Sequence, residues 1–203
     1  RKHGGTFILR IEDTDLARFV EGAEEYIMES LRWCGIKVDE GINEGGDYGP
    51  YRQSARKELY RRYAEELVEK GAAYYAFDTP GELEELRTQT ELSGNTFIYN
   101  GLTRDKLRNS LSVPEAEWKK KITDGEPFVI RYKMPAGESI YFDDLIRGHI
   151  VVNTDTLDDK VLFKSDGMPT YHLANIVDDH LMEISHVIRG EEWLPSLPLH
   201  ILL

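Results

Sequence analysis

Apolar residues near the start of the chain recur first as a continuous run and then at helical spacing. Residues 7–12 (FILRIE) predict a mostly buried strand. A helix should follow and end at Gly35, a residue type that often terminates helices. Its apolar positions lie three or four residues apart, at Ala23, Ile27, Leu31 and Cys34.

The same order, helix beside strand, returns further along. Leu59, Tyr63 and Leu67 predict a second helix that ends at Gly71, and residues 73–77 predict a short strand. Alternating helices and strands favour an α/β sheet built from crossover units.

The alternation of helix and strand patterns stops at Asp78. Residues 79–82 (TPGE) and 112–115 (SVPE) both match the capping-box pattern with proline near the helix start, so each predicts a short helix. Strands of a separate antiparallel or mixed sheet are predicted between and after these helices, at residues 128–133, 139–142, 148–153 and 160–163. We interpret residues 78–162 as an inserted α+β domain.

The α/β pattern resumes after the insert. It predicts a helix at residues 170–180, a strand at 184–189 and a new helix from about Glu191. The predicted organisation is therefore one α/β domain in two parts, residues 1–77 and 163–203, interrupted by residues 78–162.

Composition narrows the class of protein. With 203 residues, 40% of them hydrophobic, the chain can form one large domain or two small ones. No run of 18 apolar residues occurs, so we expect a soluble, cytoplasmic protein without a membrane partner. The single cysteine, Cys34, excludes an intrachain disulfide and a multi-cysteine zinc site, and we expect it in the core.

The formal net charge of −12 argues against a chain that binds nucleic acid over its whole surface. One local cluster of basic residues could still contact phosphates: Arg52, Arg56, Lys57, Arg61 and Arg62. The alternative is a solvated helix face whose charge is balanced by Glu58, Glu65, Glu66 and Glu69.

Two predicted strands end in opposite charges. Glu12 closes the first, and Arg189 closes the strand at 184–189. Open α/β sheets bind ligands at the carboxyl ends of their strands. A carboxylate can hold an ammonium group and a guanidinium can hold a carboxylate in bidentate fashion, so the pair suits an amino acid. The alternative is that both are unrelated surface or structural ion-pair residues.

Tyr171 and Asn175 lie four residues apart and so share a helix face, from which both can donate to a carboxylate. Core packing or helix capping is the alternative use of such residues. Neither a G-x-G-x-x-G nor a G-x-x-x-x-G-K-[ST] motif is present. Residues 178–180 (DDH) and His186 match no standard metal-ligand spacing, so a polar helix end explains them and no metal site is predicted.

Four segments together resemble the bacterial-type glutamyl-tRNA synthetases, class I aminoacyl-tRNA synthetases. The segments are residues 10–15 (RIEDTD) with Arg18, 49–54 (GPYRQS), 166–175 (DGMPTYHLAN) with Asp178 and Asp179, and 187–194 (VIRGEEWL). The resemblance runs along essentially the whole chain.

The resemblance implies a Rossmann-like class I catalytic domain interrupted by an acceptor-end-binding insert. It also implies ATP-dependent activation of L-glutamate to glutamyl-adenylate, Mg²⁺ accompanying ATP, and transfer to the terminal adenosine of tRNA(Glu) by a monomeric enzyme. Glu12 resembles the ligand of the glutamate amino group, Arg189 the reader of the side-chain carboxylate, and Glu192 an ATP contact. Arg18 and Arg52 resemble tRNA contacts. The implied pocket wall comprises Tyr171, His172, Leu173, Ala174 and Asn175.

Departures from the family pattern limit what this chain should do alone. The His-Ile-Gly-His and Lys-Met-Ser-Lys-Ser signatures, which hold the triphosphate, are absent. We therefore expect an internal fragment that is inactive by itself. Some relatives carry zinc-binding cysteines where this chain has Ala76 and Asp78, so no structural zinc is expected.

Three other interpretations remain open. A glutaminyl-tRNA synthetase would typically read Arg-Phe-Asp-Asp-Thr-Asn where this chain has RIEDTD. A glutamyl-queuosine tRNA synthetase paralogue would lack the long insert. A non-catalytic module that binds tRNA or an amino acid would bind without turnover.

Overall fold

The computed structural model describes residues 3–15 and 20–203. Their regular elements, in chain order, are β1 (Ile8–Leu9), α1 (Ala23–Trp33), β2 (Glu40–Gly41), α2 (Lys57–Glu69), β3 (Ala73–Ala76), α3 (Pro80–Leu92), α4 (Glu115–Thr123), β4 (Val129–Tyr132), β5 (Ser139–Asp144), β6 (Gly148–Asn153), β7 (Val161–Phe163), α5 (Tyr171–Leu181) and α6 (Leu197–Leu202). Short 3₁₀ helices occupy Gln53–Arg56, Arg104–Lys106, Thr154–Thr156 and Glu191–Ser196. Mixed helices and strands agree with the predicted α/β class.

A short parallel ladder brings the first strand beside the segment before α2. β1 pairs with β2, and Ile11 forms an isolated parallel bridge with Arg52. Ile11 N donates to Tyr51 O at 2.9 Å, and Gln53 N donates to Ile11 O at 3.0 Å. The predicted strand at 7–12 is therefore interrupted, and its side chains are half-buried or exposed rather than mostly buried. Its pairing nonetheless fixes Arg10 and Glu12 against the start of α2.

β3, β4 and β7 form a three-stranded antiparallel sheet in the order β3-β4-β7. The prediction that residues 73–77 join a sheet of crossover units is therefore wrong for β3, because its neighbour β4 runs in the opposite direction. Local spacing separates helices from strands but does not set strand direction. The sheet continues across the boundaries at 77/78 and 162/163, which stay predictions.

Both faces of β3 are buried, which ties the sheet to two hydrophobic clusters. Ala73 packs in the larger cluster, whereas Tyr74 and Ala76 pack in the smaller one with Leu83 of α3. The larger cluster fills the space between the sheet and helices α2, α5 and α6; its members are Tyr60, Ala64, Ala73, Ile130, Tyr132, Met134, Leu162, Phe163, Leu173, Ala174, Val177 and Leu199. The alternation along β3 follows from the two-residue period of a strand.

β5 and β6 form a separate antiparallel hairpin at the strands predicted for 139–142 and 148–153. The prediction that the strands at 128–133 and 160–163 share their sheet is wrong, because β4 and β7 pair in the sheet of β3. Asp144 Oδ1 accepts hydrogen bonds from the backbone N–H groups of Ile146 and Arg147 at 2.8 and 2.7 Å, which closes the turn. These two bonds lower the pKa of the Asp144 carboxyl. Leu145 and Ile146 at the tip are 90% and 89% exposed.

Helix boundaries follow the sequence signals at most ends. Gly35 and Gly71 adopt positive φ values of 68° and 71° just beyond α1 and α2. Thr79 forms the predicted capping box, because Glu82 N donates to Thr79 Oγ1 at 3.2 Å and Thr79 N donates to Glu82 Oε2 at 2.7 Å. The second capping box is wrong: Pro114 caps α4 and the Ser112 hydroxyl instead donates to Leu107 O at 2.5 Å.

Two further predictions fail in the described part of the chain. Residues 184–189 form no strand, and all six are exposed. A strand requires a partner for its backbone N–H and C=O groups, and no described residue pairs with this segment. Cys34 is exposed rather than in the core, since α1 contains no buried residue.

Among the helices of residues 3–15 and 20–203, none combines the length and apolar character needed to cross a bilayer.

Candidate amino-acid-binding site

The candidate site lies where the first turns of α5 meet the end of β1. Thr170 precedes the helix, and its hydroxyl donates to Val161 O at 2.7 Å, which anchors the helix start to β7. Because a helix turns once in 3.6 residues, Tyr171 and Asn175 lie on one face. The structure confirms that both reach the same group of charged side chains.

Asn175 holds two guanidinium groups with one atom. Its side chain is buried, with only 1% of the residue exposed. Asn175 Oδ1 accepts a hydrogen bond from Arg10 Nη2 at 3.1 Å and a second, short one from Arg189 Nη2. Asn175 Nδ2 donates to Asp179 Oδ2 at 3.1 Å. The carboxamide is therefore oriented on both sides, with its oxygen toward the arginines.

Arg10 links this carboxamide to three carboxylates. Its Nη2 donates to Glu12 Oε1 at 3.0 Å, its Nη1 donates to Asp179 Oδ1 at 3.1 Å, and its Nε lies 3.5 Å from Asp178 Oδ2. Burial lowers the pKa of Arg10, but the bond to Glu12 and the charges of Asp178 and Asp179 outweigh it, so the pKa is raised. The guanidinium stays charged in this setting.

Asp178 is the fully buried carboxylate beneath the site. Arg56 Nε donates to its Oδ1 at 2.8 Å and Gln53 Nε2 donates to its Oδ2 at 3.0 Å. Tyr60 Oη lies 2.9 and 2.8 Å from the two oxygens. The negative charge and burial together raise the pKa of Tyr60. Arg56 is thus a buried structural cation and not part of an exposed basic cluster.

Arg189 reaches the site from an irregular segment rather than from the end of a strand. Its guanidinium lies 5.3 Å from the centre of the Tyr171 ring and 5.9 Å from that of Trp193. The two rings are themselves 4.8 Å apart. Contacts with the two ring faces and with Asn175 hold the guanidinium in place. These contacts, and not a strand end as the sequence suggested, position Arg189.

The Tyr171 hydroxyl is a polar group without a hydrogen-bond partner among the described residues, although the atom is buried. Burial is the main cause of the raised pKa of Tyr171, and nearby Arg189 opposes it. A buried hydroxyl that makes no bond costs free energy, so a ligand group that reached this atom would gain by bonding to it.

Glu12 and Arg189 are connected through Arg10 and Asn175. The Glu12 side chain is 39% exposed, so its carboxylate remains open to a ligand while it accepts from Arg10. A carboxylate at one end, and a guanidinium with a free tyrosine hydroxyl at the other, can hold a small molecule that carries both an ammonium and a carboxylate.

The remaining positions of the predicted pocket wall point elsewhere. The side chains of Leu173 and Ala174 pack in the larger hydrophobic cluster, with Leu173 on the face of α5 opposite Tyr171 and Asn175. His172 Nδ1 lies 3.0 Å from His200 Nε2 of α6. Of the predicted wall at 171–175, the side chains of Tyr171 and Asn175 meet the charged group, and the wall itself stays a prediction.

Glu192 and Arg52, predicted as ATP and tRNA contacts, lie outside this group. Glu192 is exposed on the 3₁₀ helix Glu191–Ser196, beside Trp193. Arg52 Nη2 donates to Glu24 Oε2 at 2.5 Å, and Arg18 lies outside the described residues. Their roles stay predictions.

No group of three or more His, Cys, Asp or Glu side chains in the described ranges could hold a metal ion. At the positions considered for zinc, Ala76 is buried in the smaller cluster. Asp78 accepts from Arg108 N and from Tyr99 Oη, both at 2.9 Å. Both of its oxygens therefore have protein partners, and the expectation of no zinc stays a prediction.

Sequence reasoning missed Arg10 and Asp179 as members of the site. One signal was present: residues 10 and 12 are two apart, so their side chains leave a strand on the same side. A second was the spacing of Asn175 and Asp179 along α5, again four residues.

Comparison with known proteins shows the family of this chain. The family model for the catalytic domain of class I tRNA synthetases (E and Q) matches residues 1–203. A glutamate–tRNA ligase of Christiangramia forsetii is 62% identical over all of this chain, and one of Flavobacterium johnsoniae is 61% identical. The chain spans 40% of the length of each relative.

Solved structures give the same result. The crystal structure of a glutamate tRNA ligase from Elizabethkingia meningosepticum in complex with its amino acid is 59% identical, with a TM-score of 0.95 over 98% of this chain and 40% of that one. The glutamate-tRNA synthetase of Elizabethkingia anophelis has a TM-score of 0.94 at the same identity and coverage. The chain belongs to the class I glutamyl- and glutaminyl-tRNA synthetase family, within its catalytic domain.

Proposed function

We propose that the complete protein carrying this chain is a glutamate–tRNA ligase. It activates L-glutamate with ATP to give glutamyl-adenylate and pyrophosphate, and then transfers the glutamyl group to the terminal adenosine of tRNA(Glu). Relatives named glutamate–tRNA ligase at 57–62% identity support the substrate. The observation that carries the proposal is the connected set Glu12, Arg10, Asn175 and Arg189, with carboxylate and guanidinium at opposite ends.

Each end of this set has a role suited to glutamate. Glu12 holds the α-ammonium through its exposed carboxylate. Arg189 and the Tyr171 hydroxyl hold the side-chain carboxylate, the former as a charged fork and the latter as a single donor. Asn175 fixes the arginines, because its oxygen already accepts from both. His172, Leu173 and Ala174 support the wall from behind.

Recognition of the side-chain carboxylate is also what separates glutamate from glutamine. The neutral carboxamide of glutamine cannot form an ion pair with the guanidinium of Arg189, whereas the carboxylate of glutamate can. The family model covers both the glutamate and the glutamine enzymes, so glutaminyl-tRNA synthetase is the alternative within the family.

The nucleotide and tRNA sides of the reaction follow from the family resemblance. ATP enters as its Mg²⁺ complex and meets Glu192 at the edge of the site. The tRNA acceptor end meets the domain of residues 78–162, with Arg18 and Arg52 as further contacts. We expect the enzyme to act as a cytoplasmic monomer, and we expect this chain alone to be inactive.

The test is aminoacylation by the complete purified protein. Radiolabelled glutamate and glutamine are offered in parallel with tRNA(Glu) and tRNA(Gln), and ATP–pyrophosphate exchange is measured for each amino acid. Charging with glutamate and not glutamine supports the proposal. Charging with glutamine selects the alternative, and tight binding of glutamate without turnover would indicate a non-catalytic module.

A further inference from the structure

Arg10 occupies the centre of the site but has no role in the ligand contacts assigned above. Its two Nη2 hydrogens go to Glu12 Oε1 and Asn175 Oδ1, at 3.0 and 3.1 Å. These acceptors belong to the ammonium end and the carboxylate end of the pocket. One nitrogen atom therefore bridges the two ends.

The other two nitrogens of the Arg10 guanidinium face two aspartates of α5. Nη1 bonds Asp179 at 3.1 Å and Nε faces Asp178 at 3.5 Å, while the side chain is only 12% exposed. Because both aspartates lie on α5, Arg10 is fixed relative to the same helix that carries Asn175. Four carboxylate and carboxamide side chains therefore restrict the freedom of a long side chain with several rotatable bonds.

We propose that Arg10 is a positioning residue that sets the distance and orientation between Glu12 and Asn175, and so prepares the pocket for glutamate before it binds. The proposal rests on the proposed function of this site. A prepared pocket binds better because the ordering cost has been met during folding.

Only arginine has the shape for this task. Its planar group offers five N–H donors in fixed directions, whereas the ammonium of lysine is a compact point charge on a flexible stem. A lysine at this position could neutralise one carboxylate but could not hold Glu12 and Asn175 at the same time.

Arg56 offers a matched control. It is also buried, and it donates to Asp178 Oδ1 at 2.8 Å, but its other hydrogen bonds to described residues go to the backbone oxygens of Tyr48 and Pro50. Loss of either arginine removes one of the two guanidinium groups that face Asp178. Only loss of Arg10 also releases Glu12 and Asn175.

The experiment compares Arg10→Gln, Arg10→Lys, Arg56→Gln and Arg56→Lys in the complete protein, with Tm and the steady-state constants for glutamate and ATP. Both positions should lower Tm. We expect Arg10→Gln to raise KM for glutamate about tenfold or more, with KM for ATP changed less than about twofold, and Arg10→Lys to recover only part of the loss. Arg56 variants should leave the ratio of the two KM values unchanged.

Equal glutamate-to-ATP ratios in the Arg10 and Arg56 variants would overturn the proposal, since Arg10 would then act only through Asp178. Should the glutamine variants fail to fold, the two lysine variants make the same comparison. A double-mutant cycle of Arg10→Gln with Glu12→Gln adds a direct readout: coupling in KM for glutamate supports positioning, and strict additivity contradicts it.

Failure of the proposed function looks different. If the wild-type protein does not use glutamate, crystal structures without ligand still compare the Glu12 and Asn175 side chains in wild type and Arg10→Gln. Displaced side chains in the variant support the positioning role, and unchanged ones refute it.

Discussion

His172 Nδ1 lies 3.0 Å from His200 Nε2, so that a hydrogen bond between two imidazoles joins α5 to α6. One ring donates the proton of this bond and the other accepts it, so protonation of both rings would break the bond and place two cations in contact. Burial lowers the pKa of His172, and burial with the charge of His172 lowers that of His200 to about 4. The other charges facing the pair are Lys160, Asp158 and Arg189.

This pair should make the protein less stable in mild acid. The histidine pKa is 6.5 before folding and about 4 for folded His200, so the unfolded chain binds more protons between these values. The stabilisation is complete above pH 6.5 and falls as pH drops through this window. Between neutral pH and the lower end of this window, the free energy of unfolding should fall in both proteins. We expect the fall to be about 2 kcal/mol smaller in His200→Phe than in wild type. Denaturant unfolding at several pH values measures this slope.

The control for that slope is His149→Phe, because His149 is exposed on the β5–β6 hairpin next to Asp143. It should keep the wild-type slope. Parallel pH profiles for wild type and His200→Phe would show that the imidazole pair does not govern acid stability.

Tyr171→Phe should separate stability from substrate affinity. The hydroxyl has no partner among the described residues, so its removal should change the free energy of unfolding by less than about 0.5 kcal/mol. If that hydroxyl donates to the substrate carboxylate, KM for glutamate should rise about fivefold or more. Urea unfolding and steady-state kinetics on the same preparation measure both effects.

Tyr60→Phe is the opposite case and serves as the comparison. Its hydroxyl bonds Asp178 in the core, so its loss should cost about 1 to 3 kcal/mol of stability. If Tyr171→Phe changes neither the stability nor the KM for glutamate, the hydroxyl of Tyr171 does not contact the substrate.

Arg189→Ala should weaken glutamate much more than ATP. The change removes the fork that we propose meets the side-chain carboxylate of glutamate, and it also removes the contact with Asn175. We expect a loss on the order of 2 to 5 kcal/mol in kcat/KM for glutamate, and a smaller loss for Arg189→Lys, which keeps the charge without the fork. Kinetics that vary each substrate separately decide this. Near-normal kcat/KM for glutamate in Arg189→Ala would show that the arginine is structural.

Thr79→Ala should destabilise the protein by about 1 kcal/mol through loss of the α3 cap. The neighbouring Glu82 should respond as well, because bonds from the Thr79 backbone and hydroxyl and from Arg108 lower its pKa to about 2. NMR titration of Glu82 in wild type and variant follows this pKa, which should rise when the hydroxyl is lost. Thermal unfolding of the two proteins measures the cap.

Sequence pattern predicted the helices of this chain better than its sheets. α2 and α5 follow from apolar spacing alone, since a helix closes its hydrogen bonds within one segment. The antiparallel partner of β3 and the absence of a strand at residues 184–189 depend on which distant segment lies alongside. The residues of a segment do not by themselves specify which distant segment pairs with it.

The candidate site shows the same division. The shared face of Tyr171 and Asn175 was predictable from their spacing, and the chemistry of Glu12 and Arg189 from residue type. The position of Arg10 between them was not, because it depends on β1 lying against α5. Leu173 and Ala174 were placed in the wall through the resemblance, whereas helix geometry turns their side chains to the core.

The buried carboxylate of Asp178 joins the core of this protein to its pocket. It binds Arg56 and Tyr60 on one side and faces Arg10 on the other. A laboratory evolution experiment that seeks a new amino-acid preference at Arg10 would therefore also change thermal tolerance, because both properties depend on the same charge. Selection would have to begin from a protein already stabilised elsewhere, for example on the exposed helix faces.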